Sequence, residues 1–164
     1  MSIGEKMLDY RLKSNLSQRQ IAEQIPVDRA LISKAERGLY EFPASYDANI
    51  SNLDWTLALE VGEERTAGFV PNVLNDGPRF SLDPAAIKER VMKETSELMD
   101  FFSKVPMFGK KVKKEVGVRL WHENRDALEW LLVNQGKIEE TFGLDGKRMA
   151  KEHESKNQRE EESE

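Results

Sequence analysis

An all-α fold is what this sequence predicts, on three observations. Apolar residues recur at helical spacing along most of the chain, and no useful length alternates as a half-buried strand does. Helix-start signals stand at Ser17, at Asp28 and at the pair Asp83-Pro84. Helix stops follow at Pro26, Gly38 and Gly62.

A first helix over 3–12 sets Ile3, Met7, Leu8 and Leu12 along one stripe. Ser17 caps a second helix over 18–25, Gln20 completes a capping box, and Leu16 with Ile21 supplies a hydrophobic staple. Ile21, Ala22 and Ile25 face inward. Pro26 ends this helix and biases Ile25 toward extended backbone. Asp28 caps a third helix over 29–37, with Leu31, Ile32 and Ala35 inward and Gly38 in the left-handed position beyond it. Residues 39–48, with Pro43, read as a loop. Residues 50–61 carry Leu53, Leu57 and Val61 at helical spacing beside Trp55 and Leu59, which makes a fourth helix ended near Gly62.

Residues 66–82 are rich in Gly, Pro and Asn and form a connector. They keep Phe69, Val70, Val73 and Leu74, so part of the connector packs. Asp83-Pro84 opens a helix over 84–103 with an apolar seam at Ile87, Val91, Leu98 and Phe102, broken by Pro106 and Gly109. A further helix over 110–134 carries Val116, Leu120, Leu128 and Leu132. Trp121 and Trp130 are expected in the core, and Ile138 and Phe142 in a short helix after it. Beyond Gly146 the chain is almost wholly polar, and it reads as a disordered tail. The expected division is a helical unit over 1–62, a connector over 63–83, a C-terminal helical region over 84–146 and a charged tail over 147–164.

Composition excludes several functions. Of 164 residues, 34% are charged and 38% hydrophobic, so the core is modest. The absence of cysteine removes disulfides, thiol catalysis and thiolate metal sites. Two histidines, His122 and His153, argue against a histidine-rich metal site. His122 and Glu123 are adjacent and point different ways around a helix, no second histidine sits four residues on, and with Asp126 they read as surface residues. No Ser-His-Asp set, phosphate loop or dinucleotide fingerprint is present, so the chain is expected to be no enzyme and to use no metal or cofactor. It has neither a signal-peptide pattern nor a membrane-length apolar run, and the expected compartment is the cytoplasm, with no membrane contact.

The net charge of −5 is unevenly placed. Residues 1–42 hold seven Lys/Arg and six Asp/Glu, a net of +1, whereas residues 43–164 hold eighteen and twenty-four, a net of −6. Charges act within a Debye length of about 10 Å, so a few well-placed cations at the N-terminal end can still dock on phosphates.

Residues 17–38 form the main constellation. Leu16-Ser17-Gln18, Gln20-Ile21-Ala22, Ile32-Ser33 and Glu36-Arg37-Gly38 together give two short helices, a tight turn and a polar outer face. On this pattern, residues 3–62 resemble the Cro/CI-type helix-turn-helix domain of the XRE family, a lambda-repressor-like bundle. The resemblance implies a DNA-binding transcriptional regulator, a repressor of phage or bacterial type. An α-helix fits the major groove and presents its N-terminal half to base edges. By motif position, Arg29, Ala30 and Lys34 would read bases. Gln18 would meet phosphate, with Ser17, Ser33, Arg37 and Tyr40 as further backbone contacts. Arg11 and Glu36 match a pair that forms an internal salt bridge in several members of the family. Two departures stand out. Pro26 occupies a turn where the family usually has glycine. Ala35 stands where a larger apolar residue is common, so Leu39, Phe42 or Trp55 must fill that space.

One such domain reads only a few base pairs, and two recognition helices spaced about 34 Å apart require a two-fold dimer. The C-terminal helices, as an antiparallel hairpin joined by residues 105–109, are therefore expected to form a homodimer on double-stranded DNA. The alternative is an interaction protein, an antirepressor or regulatory adaptor, that meets a protein partner through the acidic C-terminal helices. Lys110, Lys111, Lys113 and Lys114 form a basic cluster that reads as a solvated face.

Overall fold

The computed structural model describes residues 2–76, 81–105 and 112–161. All regular structure among the described residues is helical. The order is α1 (Ile3–Lys13), α2 (Gln18–Gln24), α3 (Arg29–Glu36), a 3-10 turn (Ala44–Tyr46), α4 (Asp47–Ser51), α5 (Trp55–Arg65), a second 3-10 turn (Val73–Asp76), α6 (Pro84–Lys104), α7 (Lys114–Phe142) and α8 (Gly146–Glu161).

Short polar side chains set the helix starts. Ser2 with Glu5 and Ser17 with Gln20 form reciprocal capping boxes at α1 and α2. Asp28, Asp54 and Asp83 accept from first-turn N–H groups of α3, α5 and α6, and Pro84 opens α6. Gly38 follows α3 at φ +68°, a conformation that favours glycine, and Leu39 N–H closes the helix end on Lys34 O.

Two apolar cores share α5. The first is built by α1–α5, with Met7, Ile21, Ile25, Ile32 and Ile50 sealed from solvent around Leu57. Phe42 joins Ala35 in this core, whereas Leu39 is exposed and Trp55 packs against the second core. Gly4 lies against Ala35, where an added Cβ would stand 2.2 Å from the Ala35 carbonyl oxygen, so small residues let α1 and α3 approach closely. The second core takes Leu59 from α5, Val73, Ile87 from α6, and Trp130 and Val133 from α7.

Polar groups bind the units together. Glu60 on α5 is only 1% exposed, and its Oε2 accepts from Asn72 Nδ2 at 3.1 Å and Asn75 Nδ2 at 3.0 Å. Burial pushes the Glu60 carboxyl above its ordinary range, against the lowering effect of Asn75. Arg65, at the end of α5, reaches Asp47 on α4 at 3.0 Å and the Phe42 carbonyl. Arg125 on α7 donates to Gly68 O at 2.8 Å.

Helices α6 and α7 pack side by side and antiparallel. Arg90 lies over the Trp130 ring at 5.6 Å and Arg119 over the Phe101 ring at 4.6 Å, so contacts climb one helix as they descend the other. Among the described residues, no helix is long and apolar enough to cross a membrane.

Several expectations are corrected. The single helix over 50–61 is two, because Asp54 turns extended at φ −164° and restarts the chain by capping Thr56 N–H. The stretch 39–48 is not all loop, since a 3-10 turn leads into α4 at Asp47. Leu12 is 59% exposed and outside the core. The last long helix begins at Lys114 rather than 110 and runs unbroken to Phe142, so Ile138 and Phe142 do not form a helix of their own. Trp121 is 56% exposed, because α7 turns its Ala127, Trp130 and Val133 side inward. The residues after Gly146 are helical as far as Glu161. Asp145 accepts from Arg148 N–H at 3.0 Å, good helix formers follow, and Arg148 pairs with Glu152 one turn on. The breaks expected at Pro106 and Gly109, and Lys110 and Lys111 of the basic cluster, lie outside the described residues.

Candidate functional site

The turn between α2 and α3 is built without glycine. Ile25 ends α2 extended, at φ −102° and ψ 112°, as the following proline demands. Val27 N–H then bonds Ile25 O across Pro26, a one-residue turn that the fixed proline φ of about −65° suits. Asp28 Oδ1 accepts from Ala30 N–H at 2.6 Å and starts α3 at once.

Helix α3 buries Ile32, Ala35 and Glu36 and turns its other side outward. Arg29, Ala30 and Lys34 are exposed, and Ser33 is half-buried. At about 100° per residue these four span an arc of about 140°, so one ligand surface can meet them together. Among the described residues, neither Arg29 nor Lys34 has a side-chain hydrogen bond or ion pair, so both charges are available.

The other side of the unit is fixed by a buried polar knot. Arg11 Nε donates to Glu36 Oε1 at 2.5 Å, and Arg11 Nη2 donates to Glu36 Oε2 at 3.0 Å. Arg11 Nη1 reaches Leu16 O, and Gln18 Nε2 donates to Glu36 Oε2 at 2.8 Å. The Glu36 side chain is 4% exposed, so its charge is held by bonds from α1 and α2 rather than by water. The bond to Glu36 in turn raises Arg11 above its ordinary range. One carboxylate thus ties three helices together and orients α3.

The remaining expected residues divide. Ser17 spends its hydroxyl on the capping box with Gln20, and the Gln18 amide is held by Glu36. Exposed Arg37 folds back, its Nε donating to Ser33 O at 3.0 Å. Tyr40 is half-buried with its ring edge-on to Phe42 at 5.5 Å. Arg29, Ala30, Ser33 and Lys34 therefore share the open face of α3, whereas Ser17 and Gln18 belong to the fixed framework beside it. The bond from Gln18 to Glu36 was not foreseen in the sequence, which offers no signal for a pairing between those two positions.

Elsewhere, His122 is exposed against Trp121, Glu123 pairs with Arg119, and the Asp126 carboxyl is raised by burial and by neighbouring Glu94 and Glu123. Among the described residues no cluster of His, Asp and Glu is arranged to hold a metal ion. A concavity of about 860 Å³ lies between α5, α7 and the start of α8, with Asp54, Trp55 and Glu140 among its walls and no α3 residue lining it. Comparison with protein-family models, with curated proteins and with solved structures gives no match.

Proposed function

We propose that this chain is a sequence-specific DNA-binding transcriptional regulator of the XRE helix-turn-helix type, reading duplex DNA with α3 and acting as a homodimeric repressor. One observation carries the reading: Arg29 and Lys34 stand unspent on the exposed face of a helix that the Arg11–Glu36–Gln18 knot holds in place. Arg29 suits the O6/N7 edge of guanine, Ala30 suits a thymine methyl, and Lys34 suits guanine or phosphate. The two cations lie five residues apart, about 7.5 Å along the helix, or roughly two base-pair steps. Ser33 on this face, with Arg37 and Tyr40 beside it, supplies phosphate contacts, and at the start of α2 the backbone N–H of Gln18 meets a phosphate while its side-chain amide stays on Glu36.

Selection of bound sequences from a random duplex pool tests the reading. It should enrich a motif with two-fold symmetry. Arg29→Ala should weaken binding to that motif by about 1–3 kcal/mol and relax preference at one position. Failure to enrich any sequence would overturn the proposal. A second reading, a protein-interaction factor, draws on the apolar residues α7 leaves in solvent. A gel shift with random DNA at low salt separates the two, since a regulator shows binding that weakens as salt rises.

A further inference from the structure

The side of α7 turned away from α6 and α5 is apolar and uncovered. Trp121, Leu128, Leu131, Ile138 and Phe142 are all exposed there, from 38% at Leu128 to 72% at Phe142. Asn124 and Gln135 complete the row and are exposed as well. The spacing alternates three and four residues throughout, the a/d pattern of a coiled-coil seam. It runs about 31 Å at 1.5 Å per residue, and a straight helix drifts only about 20° per heptad over that length. Monomers rarely leave so long a row, five of its seven residues apolar, in water.

We propose that this face binds the same face of a second copy, antiparallel, about an axis midway between Leu128 and Leu131. The sequence of the row is what commits it to itself. In that one register Leu128 lies opposite Leu131 of the second copy, Trp121 opposite Ile138, and Asn124 opposite Gln135. The two amides then bond each other instead of entering an apolar layer unpaired. Phe142, the most exposed of the row, lands opposite Gly117, an exposed glycine with nothing within 4 Å of an added Cβ. Large meets small and polar meets polar, with no leftover. Charge does not oppose the pairing. The seam itself carries none, and the flanking positions hold one cation, Arg125, and one anion, Glu139. A parallel pairing would instead set Trp121 on Trp121 and Phe142 on Phe142. This inference gives the dimer of the proposed regulator a surface, but it needs no DNA and is tested without it.

Sedimentation across a concentration series should show the intact chain as a dimer. The double variant Leu128→Glu, Leu131→Glu should be monomeric with an unchanged circular dichroism spectrum, since both residues are exposed. Orientation is read by cysteine, of which the native chain has none. Chains carrying Asn124→Cys mixed with chains carrying Gln135→Cys should form the mixed disulfide. Asn124→Cys alone should form none, because its own copies would stand about 16 Å apart along the axis, beyond disulfide reach. A monomeric native chain, a dimer indifferent to the glutamates, or a disulfide from Asn124→Cys alone would each overturn the proposal. All three readouts are independent of whether α3 reads DNA.

Discussion

In the α1–α5 unit, Met7, Ile21, Ile25, Ile32 and Ile50 are wholly shielded, and charges between its helices are locked in pairs such as Arg11 with Glu36 and Arg65 with Asp47. On α7, by contrast, one side packs on α6 and α5 while Trp121, Leu131 and Phe142 face solvent. The first unit satisfies most of its apolar surface internally, with Leu12 and Leu39 as the large apolar side chains it leaves exposed. The second satisfies half of its apolar surface. A closed unit suits a polar ligand met at a charged face, whereas a half-covered helix suits another apolar surface. On the two proposals above, the difference gives the two ends of one chain different kinds of contact.

Substitution in the closed core gives the largest expected effect. Ile32→Ala should lower stability by about 2–5 kcal/mol in urea unfolding, through lost burial and a cavity. Next comes close packing between helices. Gly4→Ala drives a methyl into the Ala35 backbone, which cannot rotate away, and should cost about 1–3 kcal/mol. Gly136→Ala meets the Trp55 ring at 2.3 Å, and that ring can turn at the expense of its bond to Glu140. The Gly136 change should therefore cost less than the Gly4 change, and equal losses would mean that the α5–α7 joint is as rigid as the α1–α3 joint. At the small end, Leu131→Ala measured at a concentration where the chain is monomeric should change unfolding by no more than about 0.5 kcal/mol. A loss as large as that of Ile32 would erase the contrast between the two regions.

The Glu60 carboxyl, at the seam where α5 serves both cores, sharpens the comparison through pH. Its folded value is raised by burial, so between the ordinary value of 4.5 and that raised value the native chain holds a proton the unfolded chain has released. Stability should fall as pH rises through this window. Glu60→Gln keeps an acceptor for Asn72 and Asn75 and should remove that part of the slope, as urea midpoints measured from pH 4.5 to neutrality would report.

Local chemistry made much of this legible. Ser17, Asp28 and Asp83 mark helix starts because a short side chain bonding its own first turn is a property of neighbouring residues. The outward row Arg29, Ala30, Lys34 could be read for the same reason, since residues facing away from Ile32 and Ala35 are fixed by helical spacing. The break at Asp54 was hidden by that spacing, because Leu53 and Leu57 keep step across it. Which side of a long helix is covered depends on a partner distant in sequence, so Trp121 and Trp130 looked alike and only Trp130 is buried. The knot of Arg11, Gln18 and Glu36 needs three helices brought together, and the burial of Glu60 needs Asn72 and Asn75 to come back to α5. The helical end of the chain was masked by its polarity, which governs packing and says little about whether good helix formers with paired charges wind locally.

Pro26 has a consequence for how α3 meets anything. A glycine hinge lets the angle between two helices be chosen on contact, with freedom given up at that moment. A proline joint has one torsion fixed by its ring, a freedom already absent from the unfolded polypeptide. One torsion of this joint is accordingly set before any contact, so on the proposed reading a duplex met by α3 takes less entropy from the hinge.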